Sequence, residues 1–290
     1  MITQLFKLAR PQQWVKNGIL LVALVFAGEL NVAAKTEVAL IATAIFCLLS
    51  SAAYTVNDLL DAENDRRHPQ KKDRPIASGK VSATQAMSMA IVLWIAGMTG
   101  AWFVSFNFFI VSGVFVIFNV LYSAWLKNVV IIDVMSVALS FVIRAYAGAV
   151  AISAPASKWF VINTLLLALF LAFGKRRHEL LLLEEGATTH RQILSKYSPY
   201  LLDQMIGVTT ASVVVMYMLY TFSPEVTQKL GTENLYLTIP FVVYGIFRYL
   251  YLIHKEEKGG SPTRVLITDI PIMVTVLLWL LTSVLILYFL

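Results

Sequence analysis

Asn57, Asp58, Asp61 and Asp65 place four oxygen-bearing side chains within a short stretch of the sequence. If one helix runs through them at about 100° per residue, with Asp58 at 0°, then Asp61 falls at about −60°, Asp65 at about −20° and Asn57 at about −100°. All four share a face. Hard oxygen donors spaced in this way suit Mg²⁺, which takes one or two carboxylates and completes its shell with water and substrate phosphate. The acids follow an apolar run and so stand at a helix C-terminus, where the dipole disfavours carboxylates and a compensating positive charge is expected. The plainer alternative is a solvated acidic loop paired with its neighbours Arg66, Arg67, Lys71 and Lys72.

Basic residues gather in several other places. Lys71, Lys72, Arg74 and Lys80 follow the acids, and elsewhere lie Lys16 with Asn17, Tyr122 with Lys127, and the string Lys175, Arg176, Arg177, His178, Glu179. Membrane topology alone puts lysine and arginine at such positions. Together they nevertheless exceed what one diphosphate needs, and arginine forks and lysine ammoniums are the usual readers of phosphate. The candidate substrate-binding set is therefore Lys16, Asn17, Arg66, Lys72, Arg74, Tyr122, Lys127, Arg144, Lys175, Arg176, Arg177 and Glu179, serving two phosphorylated molecules. Arg144 lies in an apolar run and should face a polar interior, as a structural or a substrate-binding group. Asp133, Asp203 and Asp269 stand near helix starts, where capping accounts for them as well as a site role does. No Ser-His-Asp or Cys-His nucleophile, P-loop or dinucleotide glycine motif is present, and the scattered histidines suggest no zinc site.

The elements that carry these residues follow from composition. Of 290 residues 58% are hydrophobic and 14% charged, and the mean hydropathy is +0.73. That balance excludes a soluble globular enzyme. Apolar runs at approximately 17–31, 36–56, 84–103, 107–126, 130–152, 157–174, 201–222, 235–253 and 269–289 are each read as a membrane span. All but five of the 23 Lys and Arg fall at the N-terminus or in the loops after the second, fourth, sixth and eighth spans. The exceptions are Lys35, Lys158 and Lys229 on the opposite side and Arg144 and Arg248 within spans. This asymmetry predicts a multi-pass protein of the cell membrane with its N-terminus cytoplasmic and its C-terminus outside. The net charge of +6 is then largely topology, and nothing resembles a nucleic-acid module.

The expected fold is all-α, a polytopic integral membrane protein with about nine transmembrane helices around a central cavity open to the cytoplasmic side. Residues 1–290 are read as a single transmembrane catalytic domain, with long cytoplasmic site loops at about 57–83 and 175–200. Those loops follow the second and sixth spans, an offset that suggests two helical halves. The single cysteine, Cys47, leaves no internal disulfide. The N-terminal segment does not read as a removable signal peptide.

The Asn57 to Asp65 string resembles the N-D-x-x-D-x-x-x-D signature of the UbiA-type polyprenyltransferase superfamily, and the span layout is similar too. More narrowly, Arg10, Pro11, Trp14, Lys16 and Asn17, then Tyr122 and Lys127 through Asp133, the Gly174 to Glu179 string, and Tyr200, Asp203 and Gln204 resemble the decaprenyl-phosphate phosphoribosyltransferase branch. General superfamily members carry a second aspartate-rich motif after the sixth span, where this chain has Gly174, Lys175, Arg176, Arg177, His178 and Glu179. The resemblance implies Mg²⁺-dependent transfer of 5-phosphoribose from phosphoribosyl diphosphate to a polyprenyl phosphate such as decaprenyl phosphate, releasing diphosphate, and a place in cell-wall biosynthesis. It makes Asn57, Asp58, Asp61 and Asp65 the metal-binding and catalytic set. Two other classes stay open: an aromatic prenyltransferase using prenyl diphosphate, and a transporter of phosphorylated solutes.

Overall fold

The computed structural model describes residues 2–67, 71–184, 192–256 and 259–289. His68 and part of the expected 175–200 loop lie outside them. Among the described residues thirteen α-helices run in the order α1 (Ile2–Leu8), α2 (Ile19–Phe26), α3 (Ala33–Leu60), α4 (Ala62–Arg67), α5 (Ala83–Val104), α6 (Phe106–Ala124), α7 (Ile132–Ala151), α8 (Lys158–Glu184), α9 (Pro199–Phe222), α10 (Pro224–Leu230), α11 (Ile239–His254), α12 (Pro262–Thr268) and α13 (Ile270–Tyr288). There is no strand among the described residues. Eight helical segments among those residues are long and apolar enough to cross a membrane. This is an all-α integral membrane protein.

Eight of the nine expected spans match these segments. The first, 17–31, does not form one long helix. Its place is taken by a 3-10 segment, Pro11–Gly18, that runs into the eight-residue α2. Proline opens that segment, and the buried Asn17 anchors its end by donating to Ser50 Oγ over 3.0 Å. Two helices outrun their apolar stretches. α3 carries Asn57 and Asp58, and α8 carries Lys175 to Glu179, where the end of the apolar run predicts a loop. Lys, Arg, Glu and Leu are good helix formers, and Glu179 pairs with Arg176 at i,i+3 and with Lys175 at i,i+4, so the helix gains by continuing.

Ser82 and Gln85 form a capping box at α5, Ser105 caps α6 and Ser198 caps α9. Of the three aspartates for which capping was an expectation, Asp269 alone caps, accepting from the Ile272 N–H at 3.0 Å. Asp133 and Asp203 bind side chains instead.

Lipid is as apolar as leucine, so packing and polar bonds must order the helices. α3 lies against α5, α6 and α7, with Phe46, Phe108 and Phe115 between them. α8 packs on α7 and α9, and α11 on α13. The ring closes where Tyr288 at the end of α13 donates to Val25 O over 2.9 Å and accepts from the Leu30 N–H. α2 meets α7 at Gly148, where a Cβ would stand 2.5 Å from Leu20 O. The ring surrounds a cavity of about 3030 Å³.

Candidate active site

Three walls face the cavity. The first is the exit of α3. Its helix stops at Leu60, and Asp61 links it to the short α4, so the continuous-helix geometry expected from the sequence holds only as far as Asp61. Asn57, Asp61, Asn64 and Asp65 line the cavity. Asp58 lies behind that wall, 2% exposed, and accepts from Arg10 Nη2 at 2.5 Å and from Arg74 Nη1 at 2.9 Å. Arg74 Nη1 also donates to Asp65 Oδ2 over 2.6 Å. Asp61 accepts from Lys127 Nζ at 2.6 Å on one oxygen and from Asn57 Nδ2 at 3.1 Å on the other. The compensating charge expected at this helix end thus comes from three separate stretches of chain. Burial pushes the Asp65 carboxyl up, against the pull of Arg74.

The second wall is the charged end of α8, with Lys175, Arg176 and Glu179 on the cavity. Arg176 is buried; its Nε donates to Asp133 Oδ2 over 2.6 Å and its Nη1 to Glu179. Tyr197 donates to the other oxygen of Asp133 at 2.7 Å and accepts from the Ile131 N–H. Burial, with the Asp133 carboxylate, pushes the Tyr197 phenol up to about 12. Asp133 therefore fixes Arg176.

The third wall is deeper. Arg144 Nε donates to Asn17 Oδ1 at 3.0 Å, and its Nη1 donates to Ser140 O and Oγ at 3.0 and 2.8 Å. Lys16 stands nearby with its ammonium 5.8 Å over the Tyr54 ring. Burial, with Arg144 and Arg10 close by, lowers Lys16 to about 7.

Of the residues expected from the sequence, Asn57, Asp61, Asp65, Lys16, Arg74, Tyr122, Lys127, Arg144, Lys175, Arg176 and Glu179 meet on this one cavity. Asp58 and Asn17 stand behind it, holding Arg10, Arg74 and Arg144 in place. Arg66 is exposed and faces Glu63, Lys72 is exposed, and Arg177 binds Asp203 at 2.5 Å away from the cavity. Asn64, Arg67, Lys71, Lys196 and Arg264, outside the expected set, also line the cavity, as does Arg10. Asn64 was within reach, since the same helical projection puts it at about −120°, beside Asn57. Nothing in the sequence separates Arg67 from Arg66 or Lys71 from Lys72.

Among the described residues no three His, Cys, Asp or Glu side chains converge as a cage for a metal. The donors on the first wall are two carboxylates, Asp61 and Asp65, with the amides of Asn57 and Asn64. That set fits Mg²⁺, which keeps waters and shares its shell with substrate phosphates.

A helical membrane bundle with an acid wall and a basic wall on one internal cavity defines the class, and residues 18–267 match the model of the UbiA prenyltransferase family. The chain belongs to that family. It is 34% identical to decaprenyl-phosphate phosphoribosyltransferase of Mycolicibacterium smegmatis, an alignment covering 97% of this chain and 91% of the relative. It is likewise 34% identical to the protein of the same name from Corynebacterium glutamicum, covering 98% and 86%. Relatives of that name bear out the branch resemblance. Among solved structures, a UbiA homolog from Archaeoglobus fulgidus bound to GPP and Mg²⁺ superimposes with a TM-score of 0.73 at 18% identity, over 98% of this chain and 99% of the other.

Proposed function

We propose that the protein transfers 5-phosphoribose from phosphoribosyl diphosphate to a polyprenyl phosphate such as decaprenyl phosphate, releasing diphosphate. The observation that carries this reading is the pairing of an acid wall with a lysine-arginine wall, Lys175 and Arg176, on one cavity. A cavity of about 3030 Å³ exceeds the roughly 300–1,000 Å³ of a small-molecule pocket, leaving room for a donor and a lipid acceptor. The names of the relatives agree with that pair of substrates.

Asn57, Asp61, Asn64 and Asp65 would hold Mg²⁺, whose charge would neutralise that developing on the leaving diphosphate. Asp58 acts through Arg10 and Arg74, and Lys127 fixes the orientation of Asp61. Lys175 and Arg176 bind phosphate oxygens, and Glu179 and Asp133 keep the guanidinium of Arg176 from turning away. The acceptor phosphate oxygen forms its bond to the anomeric carbon as the bond from that carbon to diphosphate breaks, and diphosphate departs with the electron pair. A phosphate dianion needs no base to attack. The charge asymmetry of the loops supports a mouth and N-terminus on the cytoplasmic side and a C-terminus outside, and in this reading residues 1–290 act as one catalytic unit.

Incubating purified protein with Mg²⁺, labelled phosphoribosyl diphosphate and polyprenyl phosphates of several lengths tests the reading. Label is expected in the lipid phase. Label that stays in water, with diphosphate released from a prenyl diphosphate and an aromatic acceptor instead, overturns it in favour of an aromatic prenyltransferase.

A further inference from the structure

Two anionic substrates must be brought together at one carbon without exchanging places, and the cations of the cavity differ in how they are compensated. On the acid wall Arg10, Arg74 and Lys127 all touch a carboxylate, and on the second wall Arg176 touches two. Arg67, Lys196 and Arg264 also line the cavity but are exposed, whereas Lys16 and Arg144 are withdrawn from water and still lack a carboxylate. Arg144 is 3% exposed, and the oxygens it reaches, Asn17 Oδ1, Ser140 O and Ser140 Oγ, are all neutral. Its guanidinium lies 4.6 Å from the centre of the Phe115 ring. Lys16 faces the Tyr54 ring, and among the described residues neither cation has a carboxylate within salt-bridge distance. Two uncompensated positive charges inside a membrane bundle are costly unless an anion joins them.

Their depth says which anion. Arg144 is eleven residues beyond Asp133 on α7, about 16 Å further into the bundle. The cavity wall also carries large apolar side chains, Phe26, Trp159, Phe160, Leu167 and Trp279, with the charged Lys158, Glu225 and Lys229 beside them. Lys16 links this level to the acid wall, because the Tyr54 ring that it faces is also faced by Arg10 at 5.6 Å, and Arg10 binds Asp58. A ligand that fits has a phosphate at the cations and a long hydrocarbon tail beyond them. A soluble sugar diphosphate has no use for that tail channel.

We infer that Lys16 and Arg144 form the phosphate subsite of the polyprenyl phosphate acceptor, separate from the acid wall that takes the donor's diphosphate. The inference rests on the proposed reaction for the identity of the two substrates, but the subsite itself stands on the uncompensated cations and the tail channel. Asn17 is a positioning residue here, holding Nε of Arg144 while Ser50 holds Asn17.

The experiment compares wild type with Lys16→Gln and Arg144→Lys, the second chosen because removing a buried charge altogether can prevent folding. Steady-state kinetics should show the KM for polyprenyl phosphate raised at least about tenfold in both variants, with the KM for phosphoribosyl diphosphate within about twofold of wild type. A second arm needs no turnover: thermal unfolding is followed in detergent and chelator with a C10 prenyl phosphate, the matching prenyl alcohol or inorganic phosphate. The prenyl phosphate should raise the Tm of wild type and fail to raise that of Lys16→Gln. An effect on the donor KM alone, or equal protection by the alcohol or by inorganic phosphate, overturns the subsite. Wild type that is protected by prenyl phosphate in this pattern yet transfers no ribose sinks the proposed reaction and leaves the subsite standing.

Discussion

Lys127 donates to Asp61 over 2.6 Å, joining residues 66 positions apart in sequence. The contact ties the turn after α6 to the exit of α3, and Lys127 is buried in making it. An ammonium at that spot balances a carboxylate that the helix dipole disfavours, and together with Asn57 it fixes the orientation of the Asp61 carboxylate.

Asp61→Asn should therefore do two things at once: remove an anionic donor for the divalent metal and leave Lys127 without its countercharge. Turnover is expected to fall by on the order of 10²-fold or more, and wild type in chelator should fall as far. Size-exclusion behaviour should be unchanged. Retention of full activity by Asp61→Asn in metal-free buffer defeats the assignment.

The bases near the acid wall divide by where they point. Arg74 bridges Asp58 and Asp65, whereas Arg66 and Lys72 are exposed and off the cavity. Arg74→Ala should lower kcat/KM by roughly 10- to 100-fold, the loss of charge-assisted hydrogen bonds. Arg66→Ala and Lys72→Ala should stay within about twofold. If all three variants behave alike, the cavity-facing geometry has no bearing on catalysis and membrane topology explains these bases.

The sequence makes the membrane spans legible because hydrocarbon thickness demands long uninterrupted apolar runs, and it makes the acid wall legible as far as one helix continues. It could not show that Asp58, at the edge of the shared face, stands behind the cavity wall, because the side chains that cover it, Arg10 and Arg74, come from other stretches of chain. Nor could it rank Arg66 against Arg67. Both satisfy the same topological preference, and only the packing of α4 against the cavity distinguishes them. Arg10 was visible in the motif yet unassigned, because its partner Asp58 lies 48 positions away. The extension of α8 was hidden for a different reason: charged residues that end an apolar run look like a loop until their i,i+3 and i,i+4 pairing is counted.

Close backbone contact at Gly148 gives a stability prediction. A methyl group there would meet the Leu20 backbone at 2.5 Å, while at Gly207 a Cβ meets nothing within 4 Å. Gly148→Ala should destabilise the fold by about 1–3 kcal/mol, as overpacking does, and Gly207→Ala should not. Thermal unfolding in detergent reads the contrast. Equal melting temperatures for the two variants would mean that α2 can yield where it crosses α7.

Lys16 supplies a pH dependence. Burial, with Arg144 and Arg10, lowers it from 10.5 to about 7, so in the empty cavity it is charged below that pH and increasingly neutral above it. A bound phosphate draws the proton back. Affinity for the acceptor should thus be full below pH 7 and decline as pH rises through 7 to 9, by no more than about tenfold per unit for one proton. A phosphate monoester is already a dianion there, its second pKa being near 6. The KM for polyprenyl phosphate at saturating donor checks the slope. Lys16→Arg, permanently charged, should flatten it; the same slope in that variant would assign the titration to another group.

The stereochemistry of transfer follows from what the cavity lacks as well as from what it holds. Lys175, Arg176 and the acid wall are suited to binding phosphates, and Asp61 and Asp65 are tied to Lys127 and Arg74. A carboxylate held in this way is a poor nucleophile, because its lone pairs are committed to cations. The acceptor phosphate is itself an anionic nucleophile, and with Lys16 and Arg144 fixing its oxygens it can approach the anomeric carbon from the face opposite the departing diphosphate. A single displacement inverts that carbon, so an α-configured donor should give a β-linked polyprenyl phosphoribose. A covalent ribosyl-enzyme would require two displacements and would retain the α configuration. NMR assignment of the anomeric configuration in the purified lipid product distinguishes the two. An α-linked product, or a ribosyl adduct trapped on the protein, would show that one of the carboxylates leaves its cation to attack.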